Sequence, residues 1–476
     1  MRFGTEVVAA WGMRMIPLLA VAALAAPVGD LRLVDALKDG NKEAVRSLLQ
    51  ERVDVNEAQP DGTTALAWAA YRDDSEAVDL LIRAGANVNA ANENGVTPLF
   101  LACNNRNAAL VKRLLDAGAD PNARLRAGGT PLMACARTGS VDGVKSLLVG
   151  GADPNLSETQ RGQTALMTAV AERHPDVAGA LIESGAKVGA RSKAGFTALL
   201  FAAQQGDRNA ARMLLATGAD VNETTPDGLT PLLVASASGH EALSIFLLDQ
   251  GADPNAATGD GVTALHYAVL QGISLASGAR FDPAVAHLFP PNMPELVNAL
   301  LAHGANPNAQ MKAKPVGATP FLLAAVTYDA AVMRALAAGG ADPLLAIKTG
   351  TTPLMMAAGS GRREDRTAEE ERRALEAVQA AVELGADVHP FDENGQTAMH
   401  AAAYTGSDEI IRVLAKAGAK VNVTDNYGQT PLSIAEAFIP ETVLDFGLRP
   451  FIVHESTANL LLELGATPLA ASSARR

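Results

Sequence analysis

The chain has 476 residues, 52 acidic against 39 basic side chains, and 48% apolar residues, of which only 2 Trp, 5 Tyr and 12 Phe are aromatic. Apolar content this high beside 19% charged residues excludes a disordered chain. A formal charge of −13 without any Lys/Arg-rich stripe excludes nucleic-acid binding along the surface. With 42 glycines and a core of Ala and Leu, the chain must pack small side chains closely, which suits thin stacked helices.

At the start, Arg2 and Arg14 flank an unbroken apolar run over residues 15–26 (MIPLLAVAALAA) that ends in the small-x-small pattern Ala23-Leu24-Ala25. A run of 12 is shorter than the roughly 20 residues a membrane-spanning helix needs, so residues 1–26 read as a secretory signal cut near Ala26. Translation from Met13 or Met15 would give it a tighter basic end. The expected location is the periplasm or outside the cell, with no membrane span after cleavage; a buried first helix would instead leave the protein cytoplasmic.

From residue 30 the chain repeats itself. Thr followed by Pro or Ala recurs at Thr64, Thr97, Thr130, Thr164, Thr197, Thr230, Thr263, Thr319, Thr352, Thr397 and Thr430, and eight of the ten spacings are 33 or 34. Twenty-one residues after most of these stands a Gly-Ala pair, as at Gly85, Gly118, Gly151 and Gly218. Thr97 is placed to cap a helix whose first position, Pro98, loses no hydrogen bond. Ala102, Ala134 and Ala235 keep that inner helix narrow, while Leu114-Leu115 and Leu147-Leu148 give an outer helix its apolar face. Gly118 ends the outer helix in a left-handed conformation, and Asn94-Gly95 or Asp227-Gly228 turns a hairpin into the next Thr.

A 33-residue unit with TPL-x-x-A and a later G-A-D-x-N resembles the ankyrin repeat over residues 30–466. The resemblance implies an all-α ankyrin-repeat solenoid of about twelve helix-turn-helix units with short β-hairpin loops. Units start near residues 31, 64, 97, 130, 164, 197, 230, 263, 319, 352, 397 and 430, and residues 467–476 form a flexible tail. Stacked at about 10 Å each, the units would make a curved array whose stability is close to a sum of units and nearest-neighbour interfaces. In the first unit Arg52 falls where later units place a left-handed glycine, so its backbone should be strained. Cys103 and Cys135, on neighbouring helices expected 8–10 Å apart at their axes, read as small buried hydrophobes and not as a redox pair.

Three insertions break the period, at residues 274–295, 362–373 and 439–454, each between inner and outer helix. The first and third are rich in Phe and Pro. The second carries Thr367 with Glu370, a capping box that should lengthen the outer helix by about three turns. Occurring in alternate units, the insertions are expected to gather on the edge opposite the hairpins, to contact a partner or brace the C-terminal half.

No motif announces chemistry: HExxH, a zinc-spaced Cys/His set, a P-loop and G-x-S-x-G are all missing from the sequence. Gly259-Asp260-Gly261 is a hairpin of the repeat, not a dinucleotide fingerprint, for want of a preceding parallel strand. His266 and His400 stand at the fourth position of the repeat motif, where the resemblance implies a structural histidine bonded locally. No catalytic residue, metal or cofactor is expected. The expected role is a non-catalytic protein-binding scaffold or adaptor, monomeric, holding a partner protein in a concave groove. A hydrolase-like enzyme built on the scaffold and a structural envelope protein are the alternatives. The candidate contact residues are Tyr71, Arg72, Asn104, Asn105, Arg137, Gln204, Gln205 and Tyr404 at the inner-helix ends, with Arg124, Arg126, Arg161, Lys193 and Phe196 on the hairpins. Tyr and Arg are frequent interface anchors, and the basic cluster from Arg124 to Lys193 suggests an acidic protein segment as partner.

Overall fold

The computed structural model describes residues 30–270, 293–361, 366–437 and 453–469. The expected signal at residues 1–26 therefore lies outside the described residues, as do most of the first and third insertions. The chain divides into two compact units, one ending at Asp220 and the other starting at Val221.

The first unit holds six helix pairs: α1 (Arg32–Asp39) with α2 (Lys42–Gln50), α3 (Ala65–Tyr71) with α4 (Ser75–Arg83), α5 (Pro98–Asn104) with α6 (Ala108–Asp116), α7 (Pro131–Thr138) with α8 (Val141–Val149), α9 (Ala165–Ala171) with α10 (Pro175–Glu183), and α11 (Ala198–Gln205) with α12 (Arg208–Ala216). The second continues with α13 (Pro231–Ala237), α14 (Glu241–Asp249), α15 (Ala264–Val269), α16 (Pro294–Ala302), α17 (Pro320–Val326) and α18 (Ala330–Ala338). It closes with α19 (Pro353–Ala358), α20 (Ala368–Glu383), α21 (Ala398–Tyr404), α22 (Asp408–Lys416), α23 (Pro431–Ala435) and α24 (Glu455–Glu463).

Each inner helix starts as its sequence dictates. The Thr97 hydroxyl accepts the Phe100 N–H at 3.3 Å and the Thr319 hydroxyl that of Leu322 at 3.2 Å, with Pro98 and Pro320 at the first helical position. At Thr263 and Thr397 the backbone N–H instead donates to Nδ1 of His266 and His400, 3.1 Å in both cases. Their Nε2 atoms reach the carbonyls of Ala318 and Gln429 in the next repeat, so these buried rings link neighbouring repeats as neutral Nε2–H tautomers. Burial holds the pKa of His266 down at about 4, and that of His400 below its ordinary value.

Two ladders run from repeat to repeat. In the first, an asparagine staples its repeat to the next: Asn122 Nδ2 donates to Gly151 O at 3.0 Å while its Oδ1 accepts from Asp153 N at 2.8 Å. Asn56, Asn89, Asn155, Asn222, Asn255, Asn308 and Asn422 do the same. Gly189, Leu344 and His389 stand at that position in the other repeats and cannot. In the second ladder the hairpin loops are joined by single backbone bonds, among them Arg126 N to Asn94 O at 2.9 Å and Lys193 N to Arg161 O at 2.7 Å. The loops are hairpin-shaped turns. Among the described residues they carry isolated bridges, at Ala58–Thr64, Ser157–Thr164 and Ala257–Thr263, rather than strands, because their few residues are spent on the tight turn itself.

Three further expectations meet the structure. Arg52 is left-handed, with φ 58°, where Gly85 has φ 90°. The two cysteines are bonded: α5 and α7 bring Cys103 and Cys135 to a Cα separation of 4.6 Å, within disulfide reach, and both are fully buried. The expectation of unpaired thiols is thereby corrected; it used the distance between helix axes, whereas these residues face each other between the axes on helices narrowed by alanine. Finally, Thr367 and Glu370 do form a reciprocal capping box. Helix α20 has 16 residues against 9 in α18 and α22, which is about two extra turns and not three, because residues up to Thr367 precede the helix.

Candidate interaction surface

The geometry of each inner helix selects which side chains can meet a partner. The residues one to three past the capping threonine are buried in the core except Phe100, which is half-buried, while those at four and seven lie one turn apart on a single face. In the first unit this face is open. Trp68, Leu101, Thr168 and Phe201 are half-buried at the fourth position, where only Ala134 is buried, and Tyr71 (55% exposed), Arg137 and Gln204 are exposed at the seventh. In the second unit the same positions are mostly closed over α13 to α19: Val234, Tyr267, Leu323 and Met356 are buried, as are Leu270 and Val326, while Ala237 is half-buried.

The candidate residues divide into three groups. Arg72, Asn105 and Arg137 are committed to the repeat stack: Arg72 donates to Lys38 O at 2.8 Å, Asn105 to Ala70 O at 2.9 Å and Tyr71 O at 3.0 Å, and Arg137 to Asn104 Oδ1 at 2.7 Å. Tyr71, Gln204 and Gln205 line the open face, and Phe196 joins it through Phe201, ring centroids 5.5 Å apart. Tyr404 is exposed but belongs to the second unit.

Arg124, Arg126, Arg161 and Lys193 lie exposed on three successive loops of the first unit. Among the described residues none of these four makes an ion pair; Arg124 and Lys193 donate instead to the carbonyls of Ser157 and Thr159. The carboxylate closest in sequence is occupied: Glu158 accepts the backbone N–H groups of Gln160 and Arg161, each at 2.6 Å, and of Gln163 at 3.1 Å. Ion pairs are found on outer helices instead, as between Arg113 and Asp79 at 2.9 Å or Arg334 and Glu383 at 3.0 Å. The loops immediately before and after the basic stretch carry Asp61, Glu93, Asp227 and Asp260, so the cations Arg124, Arg126, Arg161 and Lys193 form one cluster on the loops that follow α6, α8 and α10, separate from Lys312, Lys314 and Lys348 on loops of the second unit.

Sequence reasoning at the seventh and eighth positions missed Trp68, Leu101 and Phe201. Spacing of i, i+3 from Tyr71 and Gln204 would have found two of them, since that spacing puts side chains on one helix face. Trp68 stacks edge-on against Tyr71 with centroids 5.6 Å apart, lies under the Lys38 ammonium at 5.8 Å, and donates from Nε1 to Gln59 Oε1 at 3.1 Å. Arg191, exposed beside Lys193, was missed as well.

A family model for three tandem ankyrin repeats matches residues 33–125, 107–192, 132–225, 199–277 and 366–446, and one for the single ankyrin repeat matches residues 260–312. Over 122 residues the chain is 37% identical to neurogenic locus notch homolog protein 1 of Mus musculus, and 36% to that of Homo sapiens, which is 24% of this chain and 5% of each relative. It is 38% identical over 55 residues to an ankyrin repeat-containing protein of Schizosaccharomyces pombe, 12% of this chain and 27% of that one. The chain thus spans only a small part of the length of these relatives. Among the described residues no helix is long and apolar enough to cross a membrane. The repeated threonine caps, the helix pairs and the matched family models agree: the chain belongs to the ankyrin repeat family.

Proposed function

We propose that this chain is a non-catalytic scaffold whose first unit holds an acidic segment of a partner protein against repeats two to six. Ankyrin repeats generally mediate protein–protein interaction. The observation that carries the finer reading is the largely open inner-helix face of α3 to α11 beside four loop cations that, among the described residues, make no ion pair with a carboxylate. Such cations attract an acidic ligand and hold it at little desolvation cost, since they stay at the rim. The disulfide between Cys103 and Cys135 supports an exported protein, periplasmic or secreted, because such bonds persist in oxidising compartments.

Fluorescence anisotropy with a labelled Glu-rich peptide tests this reading. Binding is expected to weaken as salt rises and to fall about tenfold or more in the Arg126→Glu, Arg161→Glu variant. Equal affinity for the variant would overturn it.

A further inference from the structure

The open face of the first unit is not uniform. Its aromatic side chains collect at two places: Trp68 with Tyr71 on α3, and Phe201 on α11 with Phe196 in the loop before it. Between them the fourth position holds Leu101, Ala134 and Thr168, none of them aromatic, and the half-buried Phe100 on α5 stands at the third position, off the line of Trp68 and Phe201. The indole N–H of Trp68 is already satisfied by Gln59, which fixes the ring. The cations are distributed differently. Arg124, Arg126, Arg161, Arg191 and Lys193 belong to the middle and to the Phe196 end, whereas the loops at the Trp68 end carry Asp61 and Glu93.

We infer that the occupant is one extended peptide segment with two large apolar side chains about ten or eleven residues apart, and with its carboxylates toward the end that meets Phe196. The inference rests on the acidic-segment reading above and adds its pattern. Trp68 and Phe201 hold the same register four repeats apart, and helices pack 8–10 Å apart, which puts the two sites roughly 35 Å from each other. An extended chain covers that distance in about ten or eleven residues at 3.3–3.6 Å each. A helix rises only about 1.5 Å per residue and would need about 23 residues for the same span, so an extended chain bridges the two sites with the shorter segment. At the Trp68 end carboxylates would meet Asp61 and Glu93 beside the Lys38 ammonium that lies over the ring, whereas the loop before Phe196 offers Lys187, Arg191 and Lys193 with no carboxylate among them, so the net preference is for the Phe196 end.

Three labelled peptides of one composition, titrated against the full chain, test this. One has Trp residues eleven apart with Glu toward the second Trp, one has the same Trp residues adjacent, and one has the spacing kept with Glu moved to the first Trp. A fourth lacks Trp. The first should bind about tenfold tighter than the others, and Trp68→Ala and Phe196→Ser should each remove about tenfold of that affinity while leaving the Trp-free peptide unchanged. Phe196 is half-buried, so Tyr71→Ser serves as a second, exposed variant, and unchanged circular dichroism confirms folding. Equal binding of the spaced and adjacent peptides, or indifference to Trp68→Ala and Tyr71→Ser together, overturns the two-anchor inference alone. Indifference of all four peptides to Arg126→Glu with Arg161→Glu, or no binding of the first peptide, overturns the underlying reading as well.

Discussion

The two units use one repeat and treat its inner face in opposite ways. Over α3 to α11 the fourth and seventh positions are exposed or half-buried except at Ala134, and the loops after α6, α8 and α10 are basic; over α13 to α19 the same positions are buried except at Ala237, and the second unit exposes large apolar side chains on loops at Leu344 (53%), Phe391 (67%) and Tyr427 (43%) and on helices at Tyr404 (39%) and Leu462 (43%). The stitching differs too. The first unit has a disulfide between inner helices and interrupts its asparagine ladder once, at Gly189. The second interrupts the ladder twice, at Leu344 and His389, and depends on a buried arginine. Arg366 has a side chain only 2% exposed, and meets Ser407 Oγ at 2.9 Å, Ala357 O at 3.0 Å, Glu371 at 3.2 Å and the Tyr328 hydroxyl at 3.3 Å, with its guanidinium 5.0 Å from the Tyr328 ring. One side chain from the second insertion thus ties three successive repeats. The repeat pattern fixes where side chains stand; what joins neighbouring repeats, and what remains open, is decided by departures from the pattern.

The comparison can be broken at its strongest points. Cys103→Ala with Cys135→Ala removes a cross-link separated by 32 residues and should lower first-unit stability by about 3–4 kcal/mol on the chain-entropy account. Hydrogen exchange in α5 and α7 would show it, and unchanged protection would mean the bond contributes nothing there. Arg366→Met should loosen α19 to α21 by about 2–3 kcal/mol, because Glu371 and the carbonyl of Ala357 lose a buried partner. Protection in α3 to α11 should not change.

Acid sharpens the contrast. His266 and His400, both in the second unit, are neutral when folded and bind protons more readily when unfolded. The contribution of His266 is full above about pH 6.5 and is lost as pH falls toward about 4, and that of His400 is lost in the same direction, so the second unit should weaken as pH falls. His266→Gln should flatten the slope of its unfolding midpoint against pH; an unaltered slope would assign the acid sensitivity elsewhere. The smallest effects concern the backbone. Arg52→Gly relieves a left-handed residue and should stabilise the first repeat by about 1 kcal/mol. Arg106, with φ 60°, is the control: its guanidinium donates to Gly139 O at 3.2 Å, so Arg106→Gly should gain less or lose. Gly189→Asn restores the missing staple in open space and should add about 1 kcal/mol. Thermal melts of the three variants give the order.

The fold was legible because the repeat writes its own caps and stops: the Thr-Pro or Thr-Ala pairs that recur at the repeat period begin the inner helices, and the Gly-Ala pairs twenty-one residues after them follow the ends of the outer helices. The local bonds of His266 and His400 to their capping threonines, implied by the family resemblance, and the left-handed Arg52, fixed by register, were legible too, whereas the bonds of the histidines to the next repeat were not. The disulfide was not, since period alone places Cys103 and Cys135 on neighbouring helices without saying that narrow alanine-rich helices bring their facing positions to 4.6 Å. Accessibility of the inner face was not legible either. Trp68 and Tyr267 occupy the same register, one half-open and the other wholly buried, because exposure depends on what lies across from a residue rather than on its place in the motif.

The asparagine staple has a direction. Asn122 belongs to one repeat, but both of its bonds are made to atoms of the following one, Gly151 and Asp153. During synthesis, each newly emerged repeat that carries the asparagine therefore leaves it unanswered until the next has been added, and that addition fastens the repeat before it, except where Gly189, Leu344 or His389 stands in its place. A nascent chain of this kind is always least secure at its growing end, and an interrupted chain keeps every staple except its last.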